Sequence, residues 1–455
     1  MAVFLTVEIN SEQNRLSPPT PLILNGESEG FSPLYGKITE MTSFWDNLPQ
    51  PFFILAPMEA VTDVVFRHVV KQAGAPDVFF TEFANATGWV HAGDKAIAGR
   101  LVKTNDEHPL VAQIWGGEPG DMEQFAGYCA QLGFDGIDIN MGCPAKSAIK
   151  SGGAALIRRP EVAIAAIAAA KTAGLPVSVK TRLGYTYVDE WREWLTTILQ
   201  QDIVNLTIHL RTKKEMSKVP AHYELIDDII ALRDDIAPQT LLTINGDIRN
   251  RAHGEELFAA HPGLNGIMIG RGVFSDPFCF ARTGTRASHK TIQDPRQSQI
   301  FSKTPLAPDA PATATPPALE AVKRSRGADV SAERSRSISS GDASKKSTPA
   351  QERGAGDAEF SDDVRGVSEA TRKEYSEEVK ISITNHKQEL IKLLNYHLDL
   401  FDHYQPTLGR PYEILKRFFK IYIRDFDGAK ELREKLMYTK NTSEVRQILE
   451  KIQCL

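Results

Sequence analysis

Cysteine is scarce in this sequence, and long apolar runs are missing. The 455 residues include only four cysteines, Cys129, Cys143, Cys279 and Cys454, and no two of them are spaced as CxxC. So few scattered cysteines exclude a disulfide framework and argue against structural zinc, which needs clustered Cys and His ligands. No apolar run approaches the roughly 18 residues that a membrane-spanning helix needs. We therefore expect reduced thiols, no metal and no membrane partner.

An excess of positive charge is also lacking. The chain has 53 Lys and Arg against 58 Asp and Glu, a net charge of -5, which excludes a uniformly basic nucleic-acid-binding protein. Its beginning, MAVFLTVEINSEQNRLSPPT, carries acidic residues and no basic start, and so is typical of neither a signal nor a transit peptide. A cytoplasmic location is expected. No pattern indicates a protein partner.

Composition divides the chain into four parts. Residues 1–50 show little periodicity and are expected to form an N-terminal extension. Residues 51–283 alternate short apolar runs with amphipathic stretches, as a catalytic domain of α/β type would. Residues 284–380 are rich in Ala, Pro, Ser and mixed charge, with few large apolar side chains, and predict a disordered linker. Residues 381–455 have helical periodicity and predict a small bundle.

The second part contains eight apolar runs that are typical of buried parallel strands. Helical stretches such as PEVAIAAIAAAKTAG separate most of them. Eight β–α units in about 220 residues predict a (β/α)8 TIM barrel, followed after the insertion by the C-terminal helical bundle. An open doubly wound sheet is the alternative. The runs are FFILAPM (52–58), VFFTEF (78–83), LVAQIWG (110–116), GIDINMG (136–142), VSVKTRL (177–183), IVNLTIHL (203–210), LLTINGDI (241–248) and GIMIGRG (266–272).

Functional groups gather at the carboxyl ends of these runs, where barrels carry their chemistry. A turn or cap explains any one of them. Their presence after all eight strands predicts a polar pocket ringed by an apolar barrel. The residues are Met58, Glu82, Gln113, Asn140 with Cys143, Lys180, His209, Asn245-Gly246-Asp247 and Gly270-Arg271.

Three of these positions indicate particular chemistry. INGDI and IGRG follow strands seven and eight, where barrels bind phosphate, and Arg271 could contact it bidentately. Lys180 could be a Schiff-base amine, a partner for an anionic cofactor ring or a surface cation, and local sequence leaves the three open. Cys143 lies in a loop between Gly142 and Pro144, which favours a nucleophile or a general acid over a buried structural thiol.

These motifs, taken in order, resemble those of the tRNA-dihydrouridine synthases. The resemblance covers about residues 50–280, and the 381–455 bundle is similar to that family's C-terminal helical domain. It implies an FMN enzyme that reduces a uridine of the tRNA D-loop to 5,6-dihydrouridine with NADPH, or NADH, as reductant. The matching motifs are LAPMEAVTDVVFR, TEF, VAQIWG, DINMGCPAK, GGAALIRRP, VSVKTRLG, TIHLRT, INGDI and GIMIGRGVFSDPF.

The resemblance also implies roles. Cys143 would protonate C5 of the uracil while reduced FMN delivers hydride to C6. Asn140, and less directly Arg211, would contact the substrate base. The FMN-binding residues would be Ala56, Pro57, Met58, Gln113, Lys180, His209, Asn245, Gly246, Asp247, Gly270 and Arg271.

The sequence departs from the family pattern in two places. The usual HGRT after strand six is His209-Leu210-Arg211-Thr212 here, which makes the role of Arg211 an open question. The long insertion before the bundle is the second departure.

Basic residues of the bundle are candidates for tRNA contact. The stretch PYEILKRFFKIYIRDF interleaves them with aromatics. Phe418, Phe419, Ile421 and Tyr422 favour a bundle core, whereas Lys416, Arg417 and Lys420 fit a phosphate-binding face or a merely solvated one equally well. The candidate cations are Lys387, Lys392, Lys416, Arg417, Lys420, Arg424, Lys430, Arg433 and Lys435.

Two other functions compete with this interpretation. A flavin barrel of the dihydroorotate dehydrogenase type would act on a free pyrimidine, but it would have no use for a basic bundle. A non-catalytic tRNA-binding protein would not need the set Cys143, Lys180, His209 and Arg271.

Overall fold

The computed structural model describes residues 43–282, 300–301 and 369–453, with side chains described for 43–282 and 385–451. The predicted extension is thus described only from Ser43, and most of the predicted linker 284–380 lies outside the described residues. The 3-10 helix Phe44–Asn47 buries Trp45 against Phe52, with 5.7 Å between ring centroids. This helix therefore covers the amino-terminal end of the first strand, opposite to the end where chemistry is expected.

Eight parallel strands form a closed barrel, which confirms the predicted fold. β1 pairs residue by residue with β8, from Phe52 opposite Gly266 to Leu55 opposite Ile269. β2 pairs with both β1 and β3, which closes the ring. The strands are β1 Phe52–Leu55, β2 Val78–Phe80, β3 Leu110–Trp115, β4 Gly136–Asn140, β5 Val177–Arg182, β6 Asn205–His209, β7 Leu241–Asn245 and β8 Gly266–Ile269.

Helices surround this ring and begin where the sequence provides a start. Asp63 accepts a hydrogen bond from the backbone N–H of Phe66 at 3.0 Å and caps α1, and Pro119 and Pro160 occupy first-turn positions of α4 and α5. The barrel helices are α1 Val64–Gly74, α2 Ala86–Ala92, α3 Asp94–Ile97, α4 Pro119–Gln131, α5 Pro160–Lys171, α6 Trp191–Leu199, α7 Ile226–Ile236, α8 Arg251–Ala260 and α9 Gly272–Ser275.

The barrel interior is a packed core rather than a channel. Phe52, Ile54, Phe80 and Met268 are buried inside it. Gly266 is required here, because a Cβ at that position would lie 2.1 Å from a ring carbon of Phe52. This packing closes the interior, so the site expected of this fold lies at the carboxyl ends of the strands.

The helical bundle packs against α1 and α9 of the barrel. Phe418 contacts Phe66 at 4.9 Å and Phe274 at 6.3 Å between ring centroids. Phe418, Phe419, Ile421 and Tyr422 are buried, as the core interpretation predicted. The bundle helices are α10 Glu369–Leu408, α11 Glu413–Lys416, α12 Phe419–Tyr422, α13 Ala429–Met437 and α14 Thr442–Gln453.

Two segments of the predicted linker have regular structure. α10 begins at Glu369 rather than near residue 381, and Ile300–Phe301 pairs antiparallel with Lys103–Thr104. A two-residue strand leaves no compositional signal, because it exists only where another part of the chain supplies its hydrogen bonds.

Two features are absent from the described residues. None of the helices there combines the length and apolar character needed to cross a membrane. The same part of the chain contains no group of three or more His, Cys, Asp or Glu side chains suited to a metal ion.

Candidate active site

A cavity of about 740 Å³ opens at the carboxyl ends of the strands. Residues of β5 itself and of the ends of, or loops after, β1, β2, β4, β6, β7 and β8 line it, so the site is assembled from segments far apart in sequence. Of the residues predicted for the pocket or site, all but Glu82, Gln113 and Arg211 line this cavity. The predicted residues that line it are Ala56, Pro57, Met58, Asn140, Cys143, Lys180, His209, Asn245, Gly246, Asp247, Gly270 and Arg271.

A chain of buried amide and carboxylate groups lies beneath the cavity. Gln113 donates from Nε2 to Asp138 Oδ2 at 2.7 Å and accepts at Oε1 from Asn140 Nδ2 at 2.9 Å. Ser178 donates to the other carboxylate oxygen of Asp138 at 2.7 Å. Burial raises the pKa of Asp138 to about 6, although the hydrogen bonds from Ser178 and Gln113 act to lower it. Gln113 is therefore a supporting residue below the cavity and fixes the orientation of Asn140.

Asn140 in turn fixes the loop that carries Cys143. Its Oδ1 accepts the backbone N–H groups of Gly142 at 3.0 Å and Cys143 at 2.9 Å. The Cys143 carbonyl accepts from the N–H of Ala154 at 3.0 Å, and a Cβ on Gly153 would lie 2.9 Å from that same oxygen. The thiol position is thus determined by the local backbone rather than by a flexible loop.

Cys143 is only partly buried, unlike the other described cysteines, Cys129 and Cys279. Burial raises the pKa of its thiol, while the N–H of Ala145 and the charge of Arg182 oppose that rise. The side chain therefore keeps its proton at neutral pH and faces the cavity as a neutral thiol.

One wall of the cavity is cationic. Burial, and to a smaller extent the charge of Arg182, lower the pKa of Lys180 to about 8. The Lys180 ammonium lies 3.3 Å from Asn245 Oδ1. Arg182, also in the wall, donates from Nε to the Gly142 carbonyl at 2.7 Å. An ammonium held in a buried, positively charged site favours an anionic ligand, because the anion would restore the lost stabilisation.

Near β7 and β8, glycines in the cavity wall leave the backbone uncovered by side chains. Gly246 adopts φ +126°, and a Cβ there would lie 3.3 Å from His209 Cδ2. Asp247 follows with φ +52° and pairs with Arg271 at 2.9 Å. Arg271 has 64% of its side chain exposed, and its position in the sequence predicts contact with a phosphate.

His209 and Arg211 form a pair behind this end. Arg211 Nη1 lies 3.1 Å from His209 Nε2 and donates a hydrogen bond to it, because a guanidinium can only donate. Since Nε2 accepts this bond, His209 is neutral and its proton is on Nδ1. Burial and the charges of Arg182 and Lys180 lower the pKa of His209. A neutral imidazole therefore borders the cavity.

Arg211 lies outside the cavity lining. It is 2% exposed, forms an ion pair with Asp247 and donates from Nε to the Val219 carbonyl at 2.6 Å. The neighbouring Leu210, the departure from the family pattern, is fully buried in the main hydrophobic core. Neither side chain lines the cavity, and Arg211 contacts Asp247 and His209 from behind it.

Arg182 was missed by sequence reasoning, although a signal for it exists. Lys180 and Arg182 are two residues apart on one strand, and alternate residues share a face of a strand. A strand that places Lys180 toward the pocket thus places Arg182 there as well.

Several basic residues of the bundle are used within the protein. Arg417 donates to the Ala60 carbonyl at 3.1 Å, and Arg424 donates to the Ser275 carbonyl of α9. Arg433 donates to the Ile423 carbonyl at 2.6 Å. Arg417 and Arg424 therefore fasten the bundle to the loops after β1 and β8, which both line the cavity.

Comparison with known proteins agrees with this site. The family model described as "Dihydrouridine synthase (Dus)" matches residues 54–309. "Probable tRNA-dihydrouridine synthase 2" of Bacillus subtilis (strain 168) is 46% identical over 90% of this chain and 96% of its own length. "Probable tRNA-dihydrouridine synthase" of Staphylococcus epidermidis (strain RP62A) is 42% identical over 90% of this chain and 95% of its own.

Among solved structures, the old yellow enzyme homologue from Zymomonas mobilis is 12% identical to this chain. Its TM-score is 0.36, and the match covers 52% of this chain and 90% of that chain, which is a weak likeness. The family match and the relatives instead confirm the resemblance seen in the motifs. The chain belongs to the dihydrouridine synthase family, oxidoreductases that form dihydrouridine in tRNA.

Proposed function

We propose that this chain reduces the C5–C6 bond of a uridine in the tRNA D-loop, with FMN as cofactor and NADPH as reductant. The observation that carries the proposal is one cavity in which the neutral thiol of Cys143 shares space with the cations Lys180 and Arg271. Reduction of a uracil ring needs one hydride and one proton. The cavity has a residue to hold the proton and a charged wall to hold an anionic hydride carrier.

The residues present fit FMN. A cavity of about 740 Å³ has the size of a cofactor site. Lys180, Arg182 and Arg271 give it a positive potential, and the carboxylate of Asp247 beside them is already paired with Arg211 and Arg271. Gly246 and Gly270 leave backbone N–H groups accessible, as a phosphate requires.

When bound, reduced FMN supplies hydride to C6 of the uracil. Lys180 would stabilise the negative charge of the reduced ring, because its buried ammonium has only an amide oxygen as a described hydrogen-bond partner. Arg271, with the backbone of Gly246 and Gly270, would hold the phosphate. Ala56, Pro57 and Met58 form the wall after β1 and would limit the position of the ring.

Cys143 would donate the proton to C5. Its raised pKa keeps the thiol protonated at neutral pH, which is the state that a general acid needs before the reaction. Asn140 would contact the base: one N–H of its amide is bound to Gln113, and the other is the candidate donor to a uracil oxygen.

The bundle would bind the tRNA itself. A surface groove of about 680 Å³ is lined by Lys420, Arg424, Lys430 and Arg433 together with Phe426. Two acidic residues, Asp425 and Asp427, also line it, so its charge is positive but not uniform. A groove of this kind suits phosphates of a folded RNA.

The purified full-length chain tests the proposal when it is given FMN, NADPH and unmodified tRNA transcripts. Dihydrouridine is then mapped position by position along each transcript. We expect it in the D-loop, dependent on FMN and on the nicotinamide reductant. Dihydrouridine outside the D-loop, or formation independent of FMN, would contradict the corresponding part of the proposal.

A further inference from the structure

Two loops at the rim of the cavity form an exposed cluster of tyrosines and cations. The loop after β5 carries Tyr185 and Tyr187, and the loop after β6 carries Lys213 and Lys214. Arg158 Cζ lies 3.9 Å from the Tyr185 ring centroid and Lys213 Nζ lies 4.8 Å from it. Lys214 Nζ lies 5.4 Å from the centroid of Tyr187. We call these five residues the tyrosine–lysine ridge.

Backbone hydrogen bonds hold the ridge in one conformation. The carboxylate of Glu190 accepts from the N–H groups of Tyr185, Thr186 and Tyr187 at 2.6 to 3.2 Å. Lys213 N–H donates to the Gly184 carbonyl at 2.8 Å and Lys214 N–H donates to that of Tyr185 at 2.9 Å, which joins the two loops. The rings and cations are therefore preorganised, and a ligand would bind them at little ordering cost.

The ridge is open to solvent and carries three cations, Arg158, Lys213 and Lys214. Tyr187 is 64% exposed, a high value for an aromatic side chain. The nearby acids Glu190 and Glu215 are engaged elsewhere: Glu190 with the backbone and Glu215 with His222 at 3.0 Å. Asp189 lies in the same loop, and among the described residues neither it nor these two glutamates forms an ion pair with a cation of the ridge.

The ridge is also continuous with the cavity. Ser217, from the same loop as Lys213 and Lys214, lines the cavity. Arg182, in the cavity wall, donates to the carbonyls of Thr212 at 3.1 Å and Met216 at 3.0 Å. Met216 adopts φ +60°, which is a strained backbone conformation for an unbranched apolar residue. Its side chain is 40% exposed. A ligand that enters the cavity from a larger molecule would pass over this rim.

From this placement we propose that the tyrosine–lysine ridge binds the nucleotides that flank the target uridine, with a base on Tyr187 and phosphates on Lys213, Lys214 and Arg158. The inference rests on the proposed function, since it takes tRNA as the molecule at the cavity mouth. An aromatic face with cations beside it suits unstacked bases and phosphates of an RNA loop. The ridge lies on the barrel and is separate from the groove of the bundle.

Affinity for an unmodified tRNA transcript tests the ridge in the full-length, flavin-loaded protein. Tyr187→Ala should weaken binding about fivefold or more, the lower end of the range for a base stacked on an aromatic side chain. Tyr187→Phe keeps the ring and should bind like the unchanged protein. Equal affinity of all three proteins would overturn the stacking role.

The salt dependence of binding tests the cations. The double variant Lys213→Ala/Lys214→Ala should reduce the slope of log affinity against log salt by about one to two. Lys171→Ala is the matched control, because Lys171 pairs with Asp202 near the amino-terminal end of β6, away from the cavity. An unchanged slope in the double variant, or an equal reduction in the control, would overturn the phosphate role.

Failure of the ridge and failure of the proposed function are distinguishable. If the unchanged protein forms dihydrouridine and the ridge variants match it in tRNA affinity and KM, only the ridge proposal fails. If the unchanged protein forms none, the proposed function fails and the ridge proposal fails with it. NADPH oxidation without tRNA should be equal in all variants, which separates loss of RNA binding from loss of the flavin site.

Discussion

Arg410 of the bundle reaches into the barrel and donates a hydrogen bond to the carboxylate of Glu82, at the end of β2. Glu82 is fully buried, and its Oε1 has no hydrogen-bond partner among the described residues. Asp63, the cap of α1, lies 3.5 Å from the same guanidinium. Two buried carboxylates therefore depend on one arginine from another domain, and the bundle and barrel are coupled electrostatically as well as by packing.

Loss of this arginine should destabilise the protein in a pH-dependent way. Burial and the charge of Asp63 raise the pKa of Glu82 in the folded protein to about 7, above its value in the unfolded chain. The folded state therefore loses stability as the pH rises through about 7 and Glu82 becomes charged. Arg410→Ala removes the opposing charge and should cost about 3–5 kcal/mol at pH 8, the usual effect of stranding a buried charge. The cost should be smaller at pH 6, where Glu82 protonates. Urea unfolding at the two pH values measures it.

A second substitution tests this explanation. Arg410→Ala/Glu82→Gln removes the stranded charge and should recover much of the stability lost at pH 8. Equal destabilisation of Arg410→Ala at pH 6 and pH 8, or no recovery in the double variant, would show that lost packing rather than charge dominates.

Cys143→Ala should separate the two half-reactions. Flavin binding and flavin reduction by NADPH should persist, while dihydrouridine formation should fall by about 10²- to 10⁴-fold, the range for loss of a general acid. Stopped-flow absorbance of the flavin with and without tRNA measures both. Cys129→Ala, which removes a fully buried thiol in α4, is the control and should leave the rate unchanged. Full activity in Cys143→Ala would assign the proton to another donor.

Flavin affinity should depend on the charge of Lys180. Without an anion beside it the pKa of Lys180 is about 8, and a bound anion should raise that value. Above pH 8, Lys180 must therefore take up a proton when FMN binds. The affinity for FMN should weaken by up to about tenfold for each unit that the pH rises above 8. Fluorescence titration of FMN between pH 7 and 9.5 measures this.

Lys180→Met serves as the matched variant for that titration. Its affinity should be weaker at pH 7 and nearly independent of pH. A pH dependence that survives in Lys180→Met would assign the titrating group elsewhere.

Arg211→Ala distinguishes a supporting role from direct contact with the substrate. Because Arg211 holds Asp247 and His209 from behind, its loss should weaken FMN binding by on the order of tenfold, as removal of a residue that orients a ligand-binding group does. Affinity for tRNA should be unchanged. Asp247→Asn should have a similar effect on FMN, since it weakens the same pair. Weaker tRNA binding with unchanged FMN binding would instead support the role that the resemblance implied.

Much of the barrel and site follows from the sequence alone. Apolar runs of strand length are recognisable because parallel strands are buried on both faces, and each predicted run contains an observed strand. Residues after those runs must meet at one end of a closed barrel, so their positions in the sequence suffice to assign Cys143, Lys180 and Arg271 to one pocket.

Only the tertiary structure decided which groups the arginines contact. Arg211 and Arg417 look like candidate RNA contacts in sequence, but the fold brings Asp247 to one and the Ala60 carbonyl to the other. Arg410 contacts a carboxylate more than 300 positions earlier in the chain, and its neighbours in the sequence give no sign of that contact. Local sequence specifies periodicity and strand ends, because these depend on neighbouring residues. The partner of a long charged side chain depends on which distant segments the packed fold places within its reach.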